Sequence, residues 1–389
     1  MRGAFGRFLV LYALLYGAFG TSSPFLPRFF ESRGCGPEAI GLVFGLGTAA
    51  RLVSGPLAGR AADLLGAWRA VLACSLLAAA AVALGLLHAH PFTVLLAVGV
   101  AHAAALAPTT TLADALALAA AAPRWARFEY GWVRGAASGA FVAGSLVAGQ
   151  VLRAAPLDAV VCMQAGLLAA AAAAVPLVPW HGCPPRPASA ARAPVGGVAA
   201  LLRLPPFRRL VAVAALVLGA HAMHDGFAMV RWNAAGIGSA ASSVLWSESV
   251  VAEVAMFFLL GPALVTRLAP RGAMAVAALA GIVRWTVMAA TTALPALALV
   301  QPLHGFTFAL LHLACMREIA AVVPPALGAT AQALYAVGAT AMLALLTVGA
   351  GTLYARFGAR GFLAMTLLCA VALPLALAPR GGARAVQPS

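Results

Sequence analysis

Apolar residues run through this chain in blocks of about twenty, which is the length a helix needs to cross the hydrocarbon core of a bilayer. Short turns carrying arginine, glycine or proline separate the blocks. They predict helices over 8–30, 39–61, 68–87, 92–117, 131–153 and 157–178 in the first half. The second half gives 208–231, 240–264, 272–290, 295–319, 327–352 and 359–378. Blocks such as 76–87 and 164–178 show no period-two alternation, which a spanning β-barrel requires. The stretch 179–206, with HGCPPRPASAARAPVGG at its centre, is too rich in proline and arginine to span and reads as a linker. The pattern predicts an all-α membrane protein with twelve transmembrane helices. They form two pseudosymmetric six-helix bundles, 1–178 and 207–389, joined by a cytoplasmic linker.

An internal repeat supports the division. The second helix ends in Gly55-Pro56 ahead of Arg60 and Arg69, and the eighth ends in Gly261-Pro262 ahead of Arg267 and Arg271. Composition agrees with the pattern. Charged residues are 9% of the chain against 63% hydrophobic, whereas a soluble domain carries about 25% charged residues. The amino-terminal block, which follows Arg2 and Arg7, shows no small-residue cleavage site and reads as the first helix rather than a leader.

The net charge of +15 would suit a nucleic-acid partner, but every basic side chain is arginine and most lie in the breaks between apolar blocks. No basic cluster has aromatic partners on a water-soluble face, so no nucleic-acid partner is expected. The arginines report topology instead. With the amino terminus inside, Arg2, Arg7, Arg60, Arg69, Arg124, Arg127, Arg267, Arg271 and the arginines of the linker and carboxy terminus are cytoplasmic. Arg28, Arg33, Arg153, Arg356 and Arg360 lie opposite. This predicts a multi-pass protein of a bacterial-type inner membrane with both termini cytoplasmic. Cysteines sit mostly inside apolar blocks without CxxC spacing and read as filler, so no metal or other cofactor is expected. The sequence carries no HExxH, GxSxG or phosphate loop, which argues against an enzyme.

The segment Gly55–Arg69, GPLAGRAADLLGAWR, resembles the loop signature of the major facilitator superfamily. Gly59, Ala62, Asp63, Gly66 and Arg69 fall on its positions, while Leu64 and Ala67 stand where basic residues are usual. The resemblance implies a loop that latches the two halves in one state, with Asp63 as its acidic member. A longer likeness runs through SPFLPRFFESRGCGPEAIGLVFG, LADALA, EYGWVRGAASGAFVAGS, GAHAMHDGF, SVVAEVAMF and the stretch from Gly281 to Ala320 that contains RWTVMAATTALP. These segments resemble the phenylpropionate permease family, within the proton-symporter branch around lactose- and nucleoside-type permeases. That resemblance implies proton-coupled uptake of a small aromatic acid; a monomer working by alternating access, with that carboxylate and protons as its partners, is expected. An exporter of drugs or metabolites, or a proton symporter of a nucleoside or sugar, would use the same fold. A membrane-embedded enzyme or sensor is the alternative of another class.

An ionisable group at the centre of a spanning helix costs about 2.5–3.5 kcal/mol on insertion scales and is kept where it is paired or faces a watery cavity. On helix seven, His221 and Asp225 are four residues apart and share a face at mid-depth, where transporters place their coupling sites. Asp225 assisted by His221 is one proton-carrier candidate, and a packing hydrogen bond is the alternative. His224 is turned about 100° from Asp225. Glu253, inside the family-like VVAEV segment, is the favoured coupling carboxylate; the alternative is a salt bridge to Arg284 at similar depth. Glu248 points about 140° away and reads as a cavity or outer-gate residue. On helix ten, Gln301, His304, Phe308 and His312 form one seam, and the polar three are substrate-contact candidates. Arg51, mid-span on helix two, would grip a substrate carboxylate or a gate. Asp114 and Arg134 are expected to pair with each other, and Arg284 to serve scaffold pairing. Five glycines on helix five, Gly131, Gly135, Gly139, Gly144 and Gly149, would let helices approach closely or slide.

Overall fold

The computed structural model describes residues 3–121, 129–179 and 197–378, which are helical almost throughout and contain no strand. The first half comprises α1 (Gly3–Ser22), α2 (Leu26–Ser32), α3 (Pro37–Leu65), α4 (Trp68–His88), α5 (Phe92–Ala121), α6 (Tyr130–Val151) and α7 (Asp158–Ala174). The second comprises α8 (Gly197–Arg203), α9 (Pro205–Gly219), α10 (Ala222–Ala234), α11 (Ser239–Ala255), α12 (Gly261–Ala290), α13 (Leu294–Val300), α14 (Leu311–Val322), α15 (Gly328–Phe357) and α16 (Phe362–Leu377).

Among the described residues, nine stretches are long and apolar enough to cross a membrane. Two of these, of 52 and 53 residues, double back and hold two spans each. With α6 the total is twelve. The reversal inside α12 falls at Ala269, with φ 55° and ψ 163°, just before Pro270. The central part of the linker, including Arg186 and Arg192, lies outside the described residues, as do both chain ends and Arg124 and Arg127. Its last part is not an open connection, because Gly197–Arg203 forms the short helix α8.

Several spans are interrupted where an unbroken helix was expected. The first divides between α1 and α2, where Pro24 and Pro27 remove two backbone donors. The seventh divides at Ala220 and His221, between α9 and α10. The eighth and tenth carry single π-helical segments, Met256–Leu260 and Gly305–Leu310, which pack side by side.

In the first bundle α1 packs on α6 and α7, and α5 packs on α3 and α4. In the second, α12 packs on α14 and α16, and α15 on α9. The core of each half is aromatic: Phe8, Tyr12, Phe25, Phe29 and Phe30 in one, Phe207, Phe227, Trp232, Trp285 and Phe362 in the other. The repeat noted in the sequence has a structural counterpart. Arg69, after the turn leaving α3, donates to the carbonyl of Val178 at the end of the sixth span at 3.2 Å. Arg271, after the turn inside α12, donates to the carbonyls of Leu377 (2.7 Å) and Ala378 at the end of the twelfth. In each bundle a loop arginine satisfies carbonyls that the last helix leaves unpaired, at the negative end of its dipole.

The bundles meet through α3 against α15 and α6 against α11. These contacts are closest toward one face. A Cβ on Gly41 would lie 2.8 Å from the Thr347 carbonyl and 2.9 Å from Gly351 Cα, and Gly45 abuts Val348. Gly149 abuts Ser243 in the same way, whereas Gly144 packs on Gly17 inside the first bundle. Toward the other face Gly59, Gly131, Gly135 and Gly139 have no atom within 4 Å of their Cβ position. The molecule is therefore shut at the face of the α2–α3 turn and open at the face of the α3–α4 turn.

Candidate functional site

Two cavities follow from that geometry. The central one, about 440 Å³, lies between the bundles at mid-depth. A vestibule of about 980 Å³ runs from it to the open face, and Phe19, Arg51 and Leu106 line both. The central volume is in the range of small-molecule sites, about 300–1,000 Å³.

The first bundle contributes aromatic and apolar walls from Tyr16, Phe19, Phe30, Phe44 and Phe141, together with Arg51, His102 and Arg134. Arg51 faces the cavity, and no carboxylate oxygen of the described residues lies within 4.0 Å of it. The expected Asp114–Arg134 ion pair is not formed. Asp114 accepts a 2.6 Å hydrogen bond from the Tyr12 hydroxyl, and the Arg134 guanidinium lies 4.7 Å from the centroid of Tyr16. Tyr12 reaches the carboxylate first, which leaves Arg134 to a cation–π contact on the cavity wall.

The second bundle contributes a connected chain of polar groups. Arg284, fully buried, donates to His304 Nδ1 at 3.0 Å and to Gln301 Oε1 at 2.7 Å. With Nδ1 accepting, His304 carries its proton on Nε2, and that nitrogen lies 3.3 Å from Glu253 Oε2. Ser249 donates to the same Gln301 oxygen at 3.0 Å. His304 therefore stands between Glu253 and Arg284, and the direct salt bridge considered for that pair is absent among the described residues. The guanidinium also packs on Trp285, 4.6 Å from its ring centroid.

Of the proton-carrier candidates, Glu253 and Asp225 line the cavity and His221 does not. The break before α10 turns His221 toward the core, between the Leu218 carbonyl and the Thr307 hydroxyl. His224 takes its place: its Nδ1 lies 3.1 Å from Asp225 Oδ1 although the two are sequence neighbours. Of the substrate-contact candidates, Arg51 and His304 line the cavity, and Gln301, His312 and Glu248 do not. Gln301 is buried one layer behind, under Arg284. The π-helical turn in the tenth span rotates His312 away from the His304 seam, onto the Tyr335 hydroxyl at 3.2 Å. Glu248 faces away from Glu253, as their spacing requires.

The signature loop lies at the open face. Asp63 and Gly59 line the vestibule, Gly66 ends α3 in the left-handed conformation at φ 61°, and Arg69 caps the sixth span. Asp63 accepts from Trp68 Nε1 at 2.9 Å within its own loop, and no hydrogen bond among the described residues joins it to the second bundle.

Trp246, His224, Tyr16 and Phe141 were not singled out as site residues from the sequence. The neighbours His224 and Asp225 stood out as ionisable, but the aromatic walls are indistinguishable from lipid-facing aromatics until the bundles are docked.

Two helical bundles around a mid-depth cavity of fixed charges and aromatic walls define a solute transporter of the major facilitator type. The chain belongs to the MFS_1 like family, which matches residues 6–369. It is 36% identical over 377 residues, 95% of each chain, to a probable 3-phenylpropionic acid transporter of Escherichia coli (strain K12). A mutant of the nucleoside transporter NupG superposes with a TM-score of 0.83 at 18% identity, over 96% of this chain and 98% of that one. A bacterial homologue of the human lysosomal transporter Spinster, in an inward-facing and unoccupied conformation, gives 0.74 at 13% identity over 96% of both chains. These structures share the fold.

Proposed function

We propose that this transporter imports a small aromatic carboxylate together with protons by alternating access, as a monomer with both termini in the cytoplasm. One observation carries the reading: an unpaired guanidinium, Arg51, and a carboxylate, Glu253, with the histidine chain behind it, line the same aromatic-walled cavity. A fixed cation without a protein carboxylate has its charge available to a ligand anion, and its planar fork suits a carboxylate. Phe19, Phe30, Phe44 and Phe141 offer the ring an apolar, stacking environment. Glu253, 3.3 Å from a histidine whose other nitrogen is held by Arg284, is suited to take up and release a proton as the cavity changes sides. The name of the Escherichia coli relative supports the aromatic acid. The open vestibule is on the side that the arginine bias assigns to the cytoplasm, so the structure corresponds to the inward-open state.

The test is uptake of labelled 3-phenylpropionate into proteoliposomes with and without an inward proton gradient. Accumulation that requires the gradient is the expected result. Accumulation that ignores the gradient refutes the coupling, and gradient-driven movement in the opposite direction identifies an exporter.

A further inference from the structure

Arg134 and Glu253 stand on opposite bundles, on two helices that meet at the shut face and part toward the open one. Gly149, near the end of α6, packs against Ser239 and Ser243 at the start of α11, so the two helices run antiparallel from that contact. At 1.5 Å per residue, Arg134 lies about 22 Å from it along α6 and Glu253 about 15–21 Å along α11. Both side chains line the central cavity, and the guanidinium is near enough to act electrostatically on the carboxylate. Among the described residues no ion pair joins them in this state, and Arg134 rests on Tyr16. On the same stretch of α6, Gly135 and Gly139 put no side chain into the gap, and their Cβ positions meet nothing within 4 Å.

Other charged or titratable groups surround Glu253. His304 lies 3.3 Å away with Arg284 behind it, His312 acts on it from the same span as His304, and Arg51 and Asp225 share its cavity. All of these but Arg51 belong to its own bundle and travel with it, and Arg51 sits on α3, which meets α15 rather than α11. Closing the open face brings α6 onto α11, and with it an arginine onto a carboxylate, in a setting where a charge left alone is strongly disfavoured. We infer that Arg134 and ionised Glu253 form an ion pair between the bundles when the open face closes, and that a proton on Glu253 breaks the pair and lets that face open. The proton goes onto a carboxylate oxygen, and Arg134 keeps its charge throughout. The charge on Glu253 thereby decides which face is open: the ionised, empty carrier closes and returns, and the protonated one opens. This rests on the proton-coupled reading above and supplies the group that turns protonation into movement.

Spin-label distances test it, with labels at Trp132→Cys and Leu259→Cys, exposed positions near the open ends of the two spans, in a background free of native cysteine. In the substrate-free protein with Arg134 and Glu253 intact, the closed fraction should rise severalfold from acid to alkaline medium. Arg134→Gln and Glu253→Gln should each hold the face open in both media, losing gradient-driven accumulation while still exchanging labelled 3-phenylpropionate. Arg134→Lys, which keeps the cation, should retain most of the pH response. Retained exchange shows that a variant is folded. A distance that ignores pH with both residues intact overturns the inference without recourse to any variant. A pH response that survives in Arg134→Gln and disappears in Glu253→Gln overturns Arg134 as the partner and leaves Glu253 as the coupling group. A response that survives in both overturns the coupling role of Glu253 as well.

Discussion

The two walls of the central cavity use charge in opposite ways. On the first-bundle wall, Arg51 and Arg134 make no ion pair with a described carboxylate and are set among rings. On the second-bundle wall, His304, Arg284, Gln301 and Ser249 form one hydrogen-bonded chain, and Glu253 lies 3.3 Å from its His304 end. An isolated cation exerts its charge on whatever enters the cavity. A cation engaged by neutral partners instead fixes a tautomer and orients a proton path. In the proposed function, that difference divides the work: the first bundle holds the anion, the second moves the proton, and the two share one cavity.

The sharpest way to break that division is to remove the proton site alone. Glu253→Gln keeps the size and the contact with His304 but cannot ionise. Gradient-driven accumulation should be lost completely, while exchange of labelled for unlabelled acid across the membrane continues. Full accumulation by this variant would transfer the coupling role elsewhere, with Asp225 the next cavity-facing carboxylate.

The next effect concerns the other wall. Arg51→Gln removes the cation while keeping a donor. A hydrogen bond to a charged group is worth about 1.5–3 kcal/mol, so affinity for the acid should fall roughly 10- to 100-fold. Arg51→Lys should fall between, because the charge remains and the fork is lost. A Kd for 3-phenylpropionate that does not change in Arg51→Gln would shift the anion site to Arg134.

The division was only partly legible in the sequence. Spans could be read because apolar blocks of the right length need no tertiary information, and Glu253, His304 and Arg51 stood out as charges in apolar surroundings. The breaks inside spans were not legible, since hydrophobicity is blind to a change from α to π hydrogen bonding at Met256–Leu260 or Gly305–Leu310. That change is what removed His312 from the seam. Pairing was also hidden. Depth suggested Asp114 with Arg134, but rotation about the helix axes and the reach of Tyr12 decided otherwise. The open and closed faces depend on which glycines meet a neighbour, and that is known only once the bundles are docked.

Closing the same gap between the walls is a smaller and separate matter. At the shut face Gly41 has no room for a side chain against the backbone of α15. Gly41→Val should push α3 and α15 apart there and disfavour the state seen here, at a cost typical of overpacking, about 1–3 kcal/mol. Spin-label distances across that face should shift toward a wider population, with uptake slowed severalfold. An unchanged distance distribution would mean that some other contact sets the closure.

The smallest effect tests whether the bundles are equivalent in their turns as well as in their capping arginines. Where the second span turns into the third, Gly66 supplies the positive φ of 61° without strain. At the corresponding turn of the second bundle Ala269 adopts φ 55° and ψ 163°, a region populated almost only by glycine. Its Cβ therefore carries a local cost, of order 1–3 kcal/mol, which the packing of α12 against α14 and α16 sustains. Ala269→Gly removes that strain but gives the unfolded chain more freedom, a penalty of about 0.4–1 kcal/mol. The net expectation is a gain of about 1 kcal/mol, seen as a slightly higher midpoint of thermal unfolding in detergent, with uptake unchanged. The reverse change in the first bundle, Gly66→Ala, should lower the midpoint, because it introduces a Cβ at a positive φ where none now stands. Opposite signs at the two turns would establish that the second bundle alone stores strain beside its capping arginine. A loss of stability in Ala269→Gly would show instead that the alanine side chain contributes packing that outweighs its backbone cost.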